Sequence, residues 1–181
     1  LMSLEPLQLH VYPDPILARK QPEVKKVDVV LRRQVRAMFD LMYASKGIGL
    51  AANQAGLPLK LMIMNISGDP EKGEEEMVFI NPRITKTSKE MVEEEEGCLS
   101  FPEVRVMVQR HQHVSLKATG LEGEELFFDE VDDLFARCIQ HEMDHLSGVT
   151  FVERLSPEQR ALIADKLKAL EEAHHLKSKA P

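Results

Sequence analysis

The chain has 181 residues, a formal net charge of −7 and a pI near 5.5. That length suits a single domain over residues 1–181 with a substantial core, and dispersed Lys and Arg under a net negative charge argue against a nucleic-acid surface. No apolar run approaches the roughly 20 residues that span a bilayer, Leu1 to Tyr12 lacks a basic segment followed by an apolar one, and Cys98 and Cys138 allow one disulfide at most; a cytoplasmic protein without a membrane partner is the expectation.

From Asp28 to Lys46, Leu31, Val35, Met38 and Met42 recur at helical spacing, with Asp28 placed as N-cap and Gly47 just past the end. The next segment, Gly47-Ile48-Gly49-Leu50-Ala51-Ala52-Asn53-Gln54, has a Gly-x-Gly turn but lacks the third glycine and the strand-then-helix context of a dinucleotide fingerprint. Its small residues instead permit close backbone approach, with Gln54 supplying an amide donor. Leu59 to Ile66 is a buried strand by its continuous apolar run, followed by an acidic loop from Ser67 to Glu76. Met77–Asn81, Val104–Gln109, Val114–Ala118 and Glu125–Phe128 are short strands, several of them alternating in the way antiparallel pairs do. The run Glu93 to Glu96 between them has the composition of a solvated face, although it abuts Gly97-Cys98.

A second helix is predicted from Asp132 or Asp133 to Leu146, with Gly148 beyond it. Leu134, Cys138, His141 and His145 form its inward stripe. A third helix opens at Ser156-Pro157-Glu158-Gln159, a capping box with Pro at the first helical position, and packs through Ile163, Leu167 and Leu170; residues 156–181 are expected as a C-terminal helix that frays after His174.

The chemistry concentrates in the second helix, where His141-Glu142-Met143-Asp144-His145 is an H-E-x-x-H pentad. At roughly 100° per residue, His141 and His145 lie on one side of a helix with Glu142 beside them. Two imidazoles can then hold one ion while the carboxylate sits by its open position. A catalytic site of this kind takes three protein ligands. Cys98, in Glu96-Gly97-Cys98-Leu99-Ser100, is the better third candidate, because Cys138 has the setting of a small buried hydrophobe.

Taken together, Gly47–Gln54, Glu96–Ser100 and Gln140–His145 resemble the GφGφAAxQ, EGCLS and QHExDH segments of the peptide deformylase family, in the same order and at matching intervals, and the likeness covers most of the chain. The resemblance implies an α+β fold in which antiparallel strands surround a central metal-binding helix, flanked by an N-terminal and a C-terminal helix. It implies removal of the N-formyl group from N-formyl-methionyl peptides, with metal ligation by Cys98, His141 and His145, acid–base work by Glu142, and oxyanion stabilisation by Gln54 and the Leu99 N–H. The substrate would lie along the backbone of Ile48, Gly49 and Gly97, with its methionine in a pocket that includes Ile48, Leu134, Cys138 and His141 and with Arg105 near the substrate-side surface. Fe(II) is the metal the family usually works with in the cell; zinc, nickel or cobalt suit the same ligands in a purified sample. Gln140 and Asp144 are candidates for orienting the ligands. The resemblance also allows transient ribosome contact through the C-terminal helix.

Two positions depart from the usual apolar residues of relatives, Glu94 and Arg137, and are expected to form an ion pair at the pocket rim. Three competing readings remain at this stage. They are a metallopeptidase with a downstream carboxylate such as Glu153 as third ligand, a catalytically silent peptide binder, and a structural protein with a Cys98–Cys138 disulfide.

Overall fold

A computed structural model describes residues 6–181. The first helix, α1 (Val29–Ala44), begins where expected: the Asp28 side chain accepts from the Leu31 N–H and caps it. It ends two residues before Lys46, and Lys46 itself, not Gly47, takes the left-handed turn at φ 59°. Gly47 matters for a different reason: a Cβ there would stand 2.7 Å from Leu99 Cδ1.

Seven strands follow in two antiparallel sheets. The larger sheet is ordered β1-β2-β3-β6-β7, built from β1 (Gly49–Ala51), β2 (Leu61–Met64), β3 (Met77–Thr87), β6 (Val114–Thr119) and β7 (Glu125–Val131). The smaller one pairs β4 (Met91–Cys98) with β5 (Phe101–His111). Two of these strands went unrecognised in the sequence. β1 is too short to show alternation, and it is followed at once by a 3-10 turn, Ala52–Ala55. The acidic run Glu93–Glu96 is part of β4, and Glu96 is buried at 6% exposure, which corrects its assignment to a solvated face. β3 extends to Thr87 and β5 to His111, past the apolar stretches that marked them.

The second helix, α2 (Asp133–Leu146), is the centre of the molecule. Its buried side packs on the larger sheet through Ala136, Cys138, Ile139 and Leu146. Its other side meets β5, where the Gln140 amide both accepts from the His111 N–H (2.9 Å) and donates to the His111 carbonyl (2.9 Å). A helix between two sheets has few faces left for water, and nine of its fourteen residues are buried, including His141, Glu142 and His145. This is the α+β arrangement of strands around a central helix that the motifs implied. Leu134 departs from the inward stripe: it is 46% exposed, at the N-terminal end of α2.

The C-terminal segment divides into α3 (Pro157–Leu162) and α4 (Ala164–Lys179), because Ile163 leaves the helical region at φ −111°, ψ 5°. Ser156 and Gln159 form the expected capping box. Ile163 and Leu167 pack against Phe101, Val104 and Phe151, and α4 continues past His174 to Lys179. No helix among the described residues is long and apolar enough to cross a membrane.

Candidate metal centre

Three segments converge at one end of α2. His141 and His145 lie one turn apart, so their rings face the same way, and their Nε2 atoms are 3.3 Å apart. Cys98 ends β4 and places its Sγ 3.2 Å from His145 Nε2. One ligand atom from each of Cys98, His141 and His145 lies within 4.8 Å of the others, the only such cluster of three among the described residues. Both cysteines are free thiols, and Glu153 is exposed and outside the cluster, so neither a disulfide nor a downstream carboxylate ligand fits the geometry.

The ligand His141 is held from behind by a residue the sequence reading did not single out. Glu96 Oε1 stands 2.8 Å from His141 Nδ1, which leaves Nε2 free to face Cys98 and His145. The same carboxylate accepts two hydrogen bonds from Arg110 (2.9 and 3.0 Å) and one from Arg137 (2.6 Å). Burial opposes its charge, but the His141 and Arg110 hydrogen bonds hold Glu96 well below the usual carboxylate range. The signal was present: Glu96 stands two residues before Cys98 in the same short segment, although the pairing of β4 shifts register between Gly97 and Cys98. Reading four glutamates as a charge run hid it. Of the two anticipated orienting residues, Gln140 ties α2 to β5 instead, and Asp144 acts one step further out by accepting from Arg110 (2.6 Å) and Arg154 (2.6 Å). Neither touches a ligand ring directly.

The two imidazoles differ in charge preference. Burial pushes His145 well below the ordinary imidazole range, reinforced by the positive charge of His141 and Arg110, so it is neutral and carries a lone pair. Burial acts the same way on His141 but is outweighed by the Cys98 sulfur and Glu96, which raise it. A cation entering this set therefore competes with a proton on His141.

Glu142 is 4% exposed, its Oε2 has no protein partner, and burial pushes it up to about 7. Gln54 is 1% exposed and fixed at both ends of its amide: Oε1 accepts from the Ala51 N–H (2.9 Å), which turns Nε2 toward Ser100 Oγ (3.1 Å) and Cys98 Sγ (3.6 Å). Asn53 beside it donates to the His145 carbonyl (2.7 Å) and so anchors the end of α2. Gly49 is required by close approach, since a Cβ there would meet Cys138 Sγ at 2.7 Å and Glu142 at 3.3 Å.

A cavity of about 640 Å³ opens over this centre. Every residue anticipated for substrate contact borders it: Ile48, Gly49, Gly97, Arg105, Leu134 and Cys138. Leu99, Gln54, His141 and Glu142 border it as well. Arg105 pairs with Glu95 (2.7 Å), both half-exposed, and its guanidinium covers Gly97, where a Cβ would lie 2.9 Å from Nη1. The Glu94–Arg137 ion pair exists at 3.1 Å, with a correction to its placement. Arg137 borders the main cavity, whereas Glu94 borders a separate cavity of about 170 Å³.

The donors fit a divalent cation. Two nitrogens and one sulfur, with His141 oriented by a carboxylate, are the soft-to-borderline set that suits iron, cobalt, nickel or zinc and disfavours magnesium or calcium.

The chain as a whole is similar to known proteins. The sequence profile described as Polypeptide deformylase matches residues 6–161. A curated Arabidopsis thaliana protein, "Peptide deformylase 1B, chloroplastic/mitochondrial", is 43% identical over 176 residues, 97% of this chain, but the chain spans only 64% of that relative's length. An Acinetobacter baumannii "Peptide deformylase" is 43% identical over 159 residues, 88% of each protein. A plant peptide deformylase crystal structure superposes with a TM-score of 0.93 at 41% identity, covering 100% of this chain and 97% of the other.

Proposed function

Because the chain belongs to the polypeptide deformylase family, we propose that it removes the N-formyl group from the N-terminal formyl-methionine of peptides and releases formate. The observation that carries this reading is the placement of two buried polar side chains, Glu142 and Gln54, on the same cavity as Cys98 and His141 of the three-residue cluster.

In this reading Cys98, His141 and His145 would hold a divalent cation, which would supply Lewis acidity and make water easier to deprotonate. Glu142 takes the proton from the attacking water and returns it to the departing amine. A carboxylate pushed up to about 7 is well matched to that exchange near neutral pH. As water adds to the formyl carbon, negative charge builds on the formyl oxygen, where the Gln54 Nε2 and the Leu99 N–H donate. Gln54 needs no reorganisation, since Ala51 already fixes its amide. The C–N bond then breaks, leaving formate and a free N-terminus. The peptide lies extended along Ile48, Gly49 and Gly97 in the manner of an added strand, and its methionine occupies the space bounded by Ile48, Leu134, Cys138 and His141. Arg105 borders the outgoing chain.

Fe(II) is our choice for the metal at work in the cell, supported by the mixed sulfur and nitrogen donors and by the resemblance, with zinc, nickel or cobalt entering the same set in a purified sample. The setting we assign is cytoplasmic, supported by two free thiols where no disulfide is needed. Transient ribosome contact would fall to α4, whose Leu176 is 71% exposed, and co-sedimentation with ribosomes checks it.

Formate release from a formyl-Met peptide, measured without oxygen and paired with metal analysis, tests the proposal. The expected outcome is turnover by the Fe(II)-loaded protein and its decline in air; no formate from fully loaded protein would overturn it.

A further inference from the structure

The main cavity runs along α2. Glu142, His141, Cys138, Arg137 and Leu134 border it in that order, from the ligand cluster toward the N-terminal end of the helix. From His141 to Arg137 is one turn, about 6 Å along the axis, a distance that an unbranched side chain such as methionine can fill. The second cavity is bordered by Asp133 and Glu94 among others, and Arg137 is the one residue common to both. Arg137 is therefore a shared wall of a space beside the candidate metal centre and of a smaller space.

That wall is rigid. Four acceptors hold one guanidinium: Glu96 Oε2 at 2.6 Å, the Val92 carbonyl at 2.7 Å, the Val108 carbonyl at 3.0 Å and Glu94 Oε2 at 3.1 Å. Arg137 is 6% exposed, and swinging it aside would break contacts to both strands of the smaller sheet while leaving Glu96 with a freed lone pair. Two carboxylates, Glu94 and Asp133, border the smaller space, and neither carbonyl contact offers a chain end anything but an acceptor.

We propose that Arg137 is a specificity-determining partition: it sets the depth of the side-chain pocket and shuts out longer side chains with a cationic tip, for which the smaller, acidic space is suited. This rests on the deformylase reading above. Removing the guanidinium joins the two cavities and leaves Glu94 unpaired at the far end, so formylated N-terminal lysine or arginine gains relative to formyl-methionine.

The test is the ratio of kcat/KM for a formyl-Lys peptide to that for a formyl-Met peptide in the wild-type, Arg137→Gln and Arg137→Ala enzymes, each with its metal content measured. The ratio rises about tenfold or more in Arg137→Ala, the scale at which a pocket one or two methylenes deeper discriminates. It rises less in Arg137→Gln, which keeps an amide within reach of the strand carbonyls, and falls back when Glu94→Gln is added. Because Arg137 also touches Glu96, the same peptides are compared by equilibrium binding in a Glu142→Gln background, which needs no turnover; if Arg137→Ala does not fold, Arg137→Gln decides. An unchanged ratio and unchanged relative binding overturn the partition. A wild-type enzyme that releases no formate from formyl-Met fails the underlying reading instead, and leaves the binding comparison to decide the partition.

Discussion

At the level of single residues, the motifs named the candidate groups and the structure buries Glu142, Gln54 and both histidines together. In the proposed reaction Glu142 serves as the base only when ionised, so activity is expected to fall as the pH drops below its value, about 7 without a cation. A bound cation favours the carboxylate and moves this limb to lower pH; a pH–rate profile whose acid limb persists unchanged in Glu142→Ala would remove the assignment. Gln54→Ala keeps the metal but lowers kcat by about 100- to 1000-fold, the loss typical of one oxyanion donor. Glu96 offers a sign that can be checked. Its folded-state value is depressed below the ordinary 4.5, so the stability it contributes is full above that value and is lost as the pH falls through it toward the folded value. Glu96→Gln removes the anion from between two buried arginines and costs about 3–5 kcal/mol at neutral pH. The gap from wild type narrows in acid, as urea titrations at pH 7 and pH 4 will show. None of this was visible in the run Glu93–Glu96, since composition cannot say which of four glutamates turns inward.

At the scale of elements, α2 does what an exposed amphipathic helix cannot, presenting a polar stripe to an interior. It succeeds because both strands of the smaller sheet supply partners: His111 for Gln140, Glu96 for His141, Arg110 for Asp144. Helices were legible from caps and periodicity, and α1 began where its Asp28 cap indicated. The capping box at Ser156 was equally clear, and Ser156→Ala is expected to cost about 1 kcal/mol, a fall of roughly 2–4 °C in Tm for a chain of this size, with metal content unchanged. The break at Ile163 was not legible, because Ile163 turns into the core beside Phe151 and tertiary packing overrides a weak local preference. β1 was hidden for a related reason: three residues gain strand geometry only by pairing with β2.

On the scale of the whole molecule, the described residues form three apolar clusters, one under α1, one between α2 and the larger sheet and one beneath Ile163 and α4. Phe151 belongs to the last and also stacks on the His141 ring, with centroids 6.1 Å apart. Phe151→Ala is therefore expected to lower stability by about 3–5 kcal/mol and to weaken metal retention during dialysis against a chelator; full retention would show that the stack carries no part of the ligand's placement. The residues of the metal centre come from β4 and α2, and the Gln54 donor from the turn after β1, so no one segment contains the site. The candidate ligand pair His141 and His145 with Glu142 beside it, the caps and most helical faces could be read from the sequence alone, because each depends on neighbours within about one turn of chain. Only the tertiary structure decided which acid holds His141, where the helix after Ser156 breaks, and that Arg137 borders two cavities. Those outcomes depend on burial and on contacts between residues such as Glu96 and Arg137, 41 positions apart in the chain, whose energies exist only once the strands and α2 have packed.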